Sequence, residues 1–199
     1  MNTGIGLASA ADKKEIAEIL ADGFHDDPVM GWAFNSFSAI PSFLKAMTDL
    51  NFKAGGVAHG DTRGRGASLW LKPGQSYDQG FAFTLRMLGI NARHGGITGA
   101  RRGMTIGAFM AKHHPHEPHY YLFAIAARAS AQGQGVGGAV MRAGLALADA
   151  EGMPCYLENS KERNLGFYRA HGFEVMKEVE TPGDCPPLWP MWRPARSPA

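Results

Sequence analysis

Seven consecutive residues, Gln132-Gly133-Gln134-Gly135-Val136-Gly137-Gly138, separate an apolar run, Tyr120–Ala127, from a stretch in which Val140, Ala143 and Leu147 recur at helical spacing. A strand, a glycine-rich loop and a helix in that order leave few folds open. The first N–H groups of a helix have no intrahelical acceptor and sit at the positive end of its dipole, so such a loop presents an anion site. Glycine lets a ligand approach the backbone closely, at a cost of roughly 0.5–1 kcal/mol per residue relative to alanine in regular structure. Four glycines in seven residues therefore favour a bound diphosphate over an empty turn.

Around this loop the chain alternates strand and helix. Asp12, with Glu15 three residues on, predicts a capped helix whose Ile16, Ile19, Leu20 and Phe24 share a face. The segment from Asp26-Asp27-Pro28 through Trp32, Phe34 and Phe37 to Pro41 reads as turn-rich and then aromatic, and Phe43, Leu44, Met47 and Leu50 predict a second helix. Residues 55–59 and 67–71 predict a hairpin about Gly60-Asp61-Thr62-Arg63-Gly64. Residues 81–112 read as two helices broken at His94-Gly95-Gly96, with Phe83, Met87 and Met104 expected in the core. After the glycine loop come a helix to Glu151 and a strand, Cys155–Asn159. A short helix follows from Asn164, its expected N-cap, to His171, closed by Gly172, and then strands near 173–179 and 188–192. The alternation means an α/β chain without internal repeat.

Composition narrows the function classes. Of 199 residues 45% are hydrophobic, enough for one real core and too many for a disordered chain. Twenty Lys and Arg against 18 Asp and Glu leave a formal charge of +2, which disfavours a general nucleic-acid binder. Cys155 and Cys185 are too few for a disulfide scaffold or a four-thiolate zinc site, so a reducing, cytoplasmic setting is expected. MNTGIGLASA has neither the charge nor the apolar length of an export signal, and no membrane span is expected.

The loop fits two templates. As G-x-G-x-x-G, Gly133, Gly135 and Gly138 match a dinucleotide fingerprint, with Glu158, 20 residues after Gly138, placed as a ribose-binding acid of an NAD-type oxidoreductase. Against that, Arg128 to Ala131 separate strand from glycines, and only 61 residues remain after Gly138 to complete a doubly wound sheet. As Gln-x-x-Gly-x-Gly, with Gln132, Gly135 and Gly137, the loop resembles the pyrophosphate loop of the GNAT superfamily of acyl-coenzyme A N-acyltransferases. Asn164, Phe167-Tyr168 and His171-Gly172-Phe173 are similar to that family's segment after its fifth strand. Residues 114–193, including His-Pro-His-Glu-Pro-His-Tyr-Tyr-Leu, Tyr-Leu-Glu-Asn and Pro-Pro-Leu-Trp-Pro-Met-Trp-Arg, look most like the branch that contains puromycin N-acetyltransferase. Arg128, Ala129 and Gly166 depart from that branch's pattern.

The resemblance implies a single GNAT-like domain with a mostly antiparallel mixed sheet, splayed between the fourth and fifth strands. Residues 1–118 would form the acceptor side and 119–199 the coenzyme-binding half. It implies acetyl-CoA as cofactor and direct acetyl transfer to a small-molecule amine, by a monomer or homodimer. The pantetheine arm would lie along Ile125, Ala126 and Ala127, the diphosphate on Gln132, Gly133, Gln134, Gly135, Val136, Gly137 and Gly138, and Asn164 beside the arm. Tyr168 would protonate the departing thiolate; a phenol with a free pKa near about 10 is available as an acid at neutral pH. His119, at the start of the fourth strand, stands where some arylalkylamine-type relatives place a base. Glu158 could accept a proton or bind a cationic amine, and Asp27 could meet the acceptor's charge. Each of these residues also has a structural reading: a core tyrosine, a helix cap, a wall histidine, a structural acid. A coenzyme-binding sensor without turnover is a further alternative. His113, His114, His116 and His119 suggest a metal, but Pro115 and Pro118 break the i, i+4 ligand geometry and no metal is expected.

Overall fold

The structure, a computed structural model, describes residues 4–77, 80–177 and 179–196. Seven strands form one sheet: β1 (Ile5–Leu7), β2 (Val57–Asp61), β3 (Gly66–Leu71), β4 (Tyr120–Ala127), β5 (Cys155–Asn159), β6 (Glu174–Val175) and β7 (Trp189–Arg193). Their order is β1-β2-β3-β4-β5-β7-β6, and among the described residues only the β4–β5 pair is parallel. A doubly wound dinucleotide fold needs a parallel sheet, so the oxidoreductase reading fails here.

Among the described residues seven α-helices accompany the sheet: α1 (Lys13–Gly23), α2 (Pro28–Phe34), α3 (Ile40–Lys53), α4 (Phe81–His94), α5 (Gly96–His113), α6 (Val136–Ala150) and α7 (Leu165–Ala170). On one face Ile16, Ile19 and Leu20 of α1 and Ile40 and Leu44 of α3 cover Ala58, Leu69, Ala124 and Ala126. On the other, Met141, Leu145 and Ala148 of α6 pack with Tyr168 of α7 on Val57, Trp70, Leu122 and Leu157. Helix α6 comes close because Gly144 has no side chain: a Cβ there would stand 2.3 Å from the Trp70 ring.

Several local expectations need correction. Helix α1 is preceded by a short 3-10 turn in which Ser9 is the cap and Asp12 the reciprocal acid, so Asp12 does not cap α1. The turn-rich segment contains α2, capped by Asp27, opened by Pro28 and closed by left-handed Asn35. Strand β1 escaped the sequence reading, and the strand expected at 173–179 is realised only at β6; residue 178 lies outside the described residues. Met104 is exposed rather than core.

β3 and β4 are antiparallel neighbours that a tight turn could join, yet residues 72–119 intervene, carrying α4 and α5. Gly95 and Gly99 allow this helical pair to abut the Phe34 carbonyl at the end of α2, with a Cβ on either standing 2.0 and 2.6 Å from that oxygen. The excursion starts near Tyr77 and ends at His114 and His119, so both of its ends feed the same region.

Candidate active site

β4 and β5 pair only at Tyr120 with Cys155 and Tyr121 with Tyr156, although both strands run on past that point. Beyond it they diverge. A bulge contributes: β3 pairs Leu69 with Ala124 but Trp70 with Leu122, leaving Phe123 as an extra residue. The side chains record the phase change, since Leu122 faces α6, Phe123 and Ala124 both face α1 and α3, and Ile125 returns to the α6 side.

The last turn of α1 and the segment that leads to α2 tie both diverging ends. Asp22 accepts a hydrogen bond from the Ala129 N–H after β4 at 2.8 Å. Asp26 binds Lys161 and Arg163 after β5, and the two cations hold its carboxyl down at about 2. Asp27 accepts from the Met30 N–H at 2.9 Å and from the Ser160 hydroxyl, and is 1% exposed. Asp27 is therefore a buried clamp with both oxygens engaged inside the protein, which corrects the expectation that it meets an acceptor's charge.

The glycine loop lies after the diverging end of β4. Gln132, Gly133, Gln134 and Gly135 are exposed, and Gly133 and Gly135 take φ of +75° and +76°, with open space where a Cβ would point. Gly135 caps α6, whose first intrahelical bond of this turn is Ala139 N–H to Gly135 at 3.0 Å; the N–H groups of Val136, Gly137 and Gly138 are left for an outside acceptor. Gln134 is turned back, its amide donating to the Ser130 carbonyl at 2.9 Å. Arg128 is likewise held away, donating to the Gly64 carbonyl at 2.7 Å. Ile125 and Ala127 lie along β4 beyond its last pairing with β5, with Ala126 buried between them.

Tyr168 is brought to the α6 face of this gap by α7. The helix ends in paired bonds, Gly172 N–H to Arg169 and Phe173 N–H to Tyr168, with Gly172 at φ +88° as the sequence predicts. Asn164, however, has helical backbone and makes no capping bond, so it is not the side-chain cap expected. The Tyr168 ring is 8% exposed and its hydroxyl has no protein partner among the described residues. Burial, with the Asp27 charge, pushes its pKa well above 10, so the proton stays on oxygen at neutral pH.

On the opposite face Glu158 is sunk among aromatic rings, its side chain 5% exposed. The Tyr121 hydroxyl donates to Glu158 Oε2 at 2.8 Å, while Oε1 is buried without a hydrogen-bond partner and stands 3.7 Å from His114 Nδ1. His114 Nε2 lies 3.1 Å from His119 Nε2, and His119 Nδ1 lies 2.6 Å from the Glu117 carbonyl. Burial holds the His119 imidazole below its ordinary pKa against the pull of that carbonyl. The structure thus brings His119 and Glu158 into one cluster through His114, which the sequence offered only as part of a metal motif. Among the described residues no three His, Cys, Asp or Glu side chains converge as metal ligands. Cys155 is buried and pushed up to about 12, which leaves no nucleophilic thiolate.

The gap in the sheet thus has a protonated phenol on one face, a buried carboxylate on the other and the free N–H groups of the α6 N-terminus beyond it. The Acetyltransferase (GNAT) family profile matches residues 68–173. The chain belongs to that family. An N-acetyltransferase of Schizosaccharomyces pombe, itself uncharacterised, is 27% identical over 188 residues, 85% of this chain and 74% of that protein. A Corynebacterium glutamicum structure described as histone acetyltransferase HPA2 and related acetyltransferase superposes with a TM-score of 0.70 at 24% identity, covering 98% and 97% of the two chains. Arylalkylamine N-acetyltransferase 2 of Aedes aegypti gives 0.62 at 10% identity, covering 96% and 98%. The protein is an acetyltransferase with the GNAT fold.

Proposed function

We propose that this acetyltransferase moves an acetyl group from acetyl-CoA directly to the amine of a small molecule. The observation that carries the reading is the divergence of β4 from β5 in front of the α6 N-terminus, which puts an unpaired strand edge and free helix N–H groups on one path. Those groups suit the coenzyme: unpaired β4 backbone near Ile125 and Ala127 for an amide-bearing arm, and Gln132 to Gly138 for its diphosphate. When bound, acetyl-CoA supplies the thioester-activated acetyl group. Tyr168, still protonated, gives its proton at the departing sulfur. Glu158 draws a cationic amine to the opposite face and helps it lose its proton. Asn164, at the start of α7, is the residue we assign to the arm. The mosquito enzyme's name puts an amine acceptor on this fold, and an amine with an aromatic or apolar body suits the rings of Tyr121, Phe123 and Tyr156 around Glu158. The likeness to the puromycin N-acetyltransferase branch supports the same class of acceptor.

The test is mass-spectrometric detection of N-acetylated product from a panel of aryl, arylalkyl and alkyl amines with acetyl-CoA. Acetylation of members of the panel is expected. Thioester hydrolysis without any amine product would overturn the reading.

A further inference from the structure

The geometry points to His114 and Glu158 as one shared proton-accepting site for the amine, with His119 as the positioning residue that keeps His114 Nδ1 free. This deepens the proposed transfer reaction and rests on it.

The proton arrangement follows from the partners. A carbonyl oxygen only accepts, so His119 Nδ1, 2.6 Å from the Glu117 carbonyl, carries a hydrogen. Neutral His119 then has a bare Nε2. At 3.1 Å from it, His114 Nε2 must supply the hydrogen that lies between the two rings. His114 Nδ1 is consequently bare, and it faces Glu158 Oε1, which accepts no hydrogen bond of ordinary length, although the buried and likewise unpartnered Tyr156 hydroxyl lies near the same carboxylate. Nδ1 and Oε1, 3.7 Å apart, are then two acceptors facing each other, an arrangement that one added proton stabilises. Without it the cluster holds a net negative charge behind Tyr121, Tyr156 and Tyr77; with it, the cluster is a neutral imidazolium–carboxylate pair.

These are the titratable groups that face the pair: Tyr121 from β4, Tyr156 from β5, Glu117 and His119 from the loop before β4, and Tyr77 from the segment before α4. Burial and the Glu158 charge raise all three phenols above their ordinary range, so none competes as the acceptor. His114, its side chain 35% exposed, joins the buried carboxylate to water. In the step itself an ammonium N–H bond breaks with its electron pair left on nitrogen, the proton enters the Glu158–His114 pair, and it leaves to water from the His114 imidazolium.

The experiment combines pH–rate profiles with histidine nitrogen NMR. For His114→Gln a loss of tenfold or more in kcat is expected, with the acid limb of the profile flattened and acetyl-CoA affinity within twofold of wild type. His119→Gln, whose amide oxygen can take the same hydrogen from His114, should keep more of kcat than His119→Leu, and both should retain the acid limb. In the unliganded wild type at pH 8, NMR should find His119 protonated on Nδ1 and His114 on Nε2. An unchanged acid limb in His114→Gln, or His114 protonated on Nδ1 with a bare Nε2, would overturn the proposal. Should no amine be acetylated, the transfer reading fails, and the tautomer result still decides the proton arrangement.

Discussion

At the scale of single residues, the two faces of the gap separate the chemistry. Tyr168 is kept protonated by burial and by the Asp27 charge, which suits it to the proposed role of acid at neutral pH. Tyr168→Phe is expected to lower kcat about 100-fold, within the usual range for a positioned general acid. Its acetyl-CoA dissociation constant, read by calorimetry, should stay within twofold. His59 carries a different consequence. It is buried in β2 with Nδ1 unpartnered, and burial pushes its pKa down to about 4. The unfolded chain takes up a proton below about pH 6.5 that the folded chain refuses until about pH 4, so stability falls as pH drops through that window. At pH 5 the loss from this group is about 2 kcal/mol relative to pH 7.5. Denaturant unfolding at the two pH values should show His59→Leu losing less than wild type by that amount; equal losses would assign the acid sensitivity elsewhere.

Elements set the gap's width and its contents. The end of α1 and the turn after it clamp both strand ends, through Asp22 on Ala129 and through Asp26 and Asp27 on Ser160, Lys161 and Arg163. Removing the Asp27 cap costs about 1 kcal/mol for the N-cap alone. Asp27→Ala should therefore lower denaturant stability by at least that much, and lower kcat/KM more than the stability loss accounts for, because Ser160 and Tyr168 lose a shared neighbour. Activity equal to wild type at full folding would show that the clamp does not shape the site. Gly144 makes a contrasting case on α6. A Cβ there meets the Trp70 ring, so Gly144→Ala should destabilise by about 1–3 kcal/mol as overpacking does. Coenzyme affinity of the folded fraction should be unaffected, since the contact lies two turns from the glycine loop.

Across the whole molecule, sequence patterns were most informative where structure is made locally. The glycine loop, the helix after it, the Gly172 cap and the α4–α5 break were legible because each is written in adjacent residues. The three-residue β1 was not legible, because its pairing with β2 crosses more than fifty residues. Helix α2 had its signal in Asp27-Pro28 and Asn35 but is only seven residues long, too short for periodicity to show. The β4 bulge leaves no trace in Tyr-Tyr-Leu-Phe-Ala-Ile-Ala-Ala, since its cause is the pairing with β3. For the site, Tyr168, His119 and Glu158 were named from sequence, but the partnership of His114 with both needed the chain to bring α5, β4 and β5 together. Asp27 was misread because burial, not composition, decides whether a carboxylate is free. The central claim is that this fold holds a coenzyme A thioester on the loop at residues 132–138, and thermal unfolding tests it most directly. Wild type and Gly135→Asp would be unfolded alone and with acetyl-CoA, coenzyme A or NADH. A ligand at 100 times its dissociation constant stabilises by about 2.7 kcal/mol, which at this chain length raises the midpoint by roughly 5–10 °C. The expected result is that shift for wild type with both coenzyme A forms, none with NADH, and none for the aspartate variant. A shift with NADH alone, or an undiminished acetyl-CoA shift in Gly135→Asp, would contradict it.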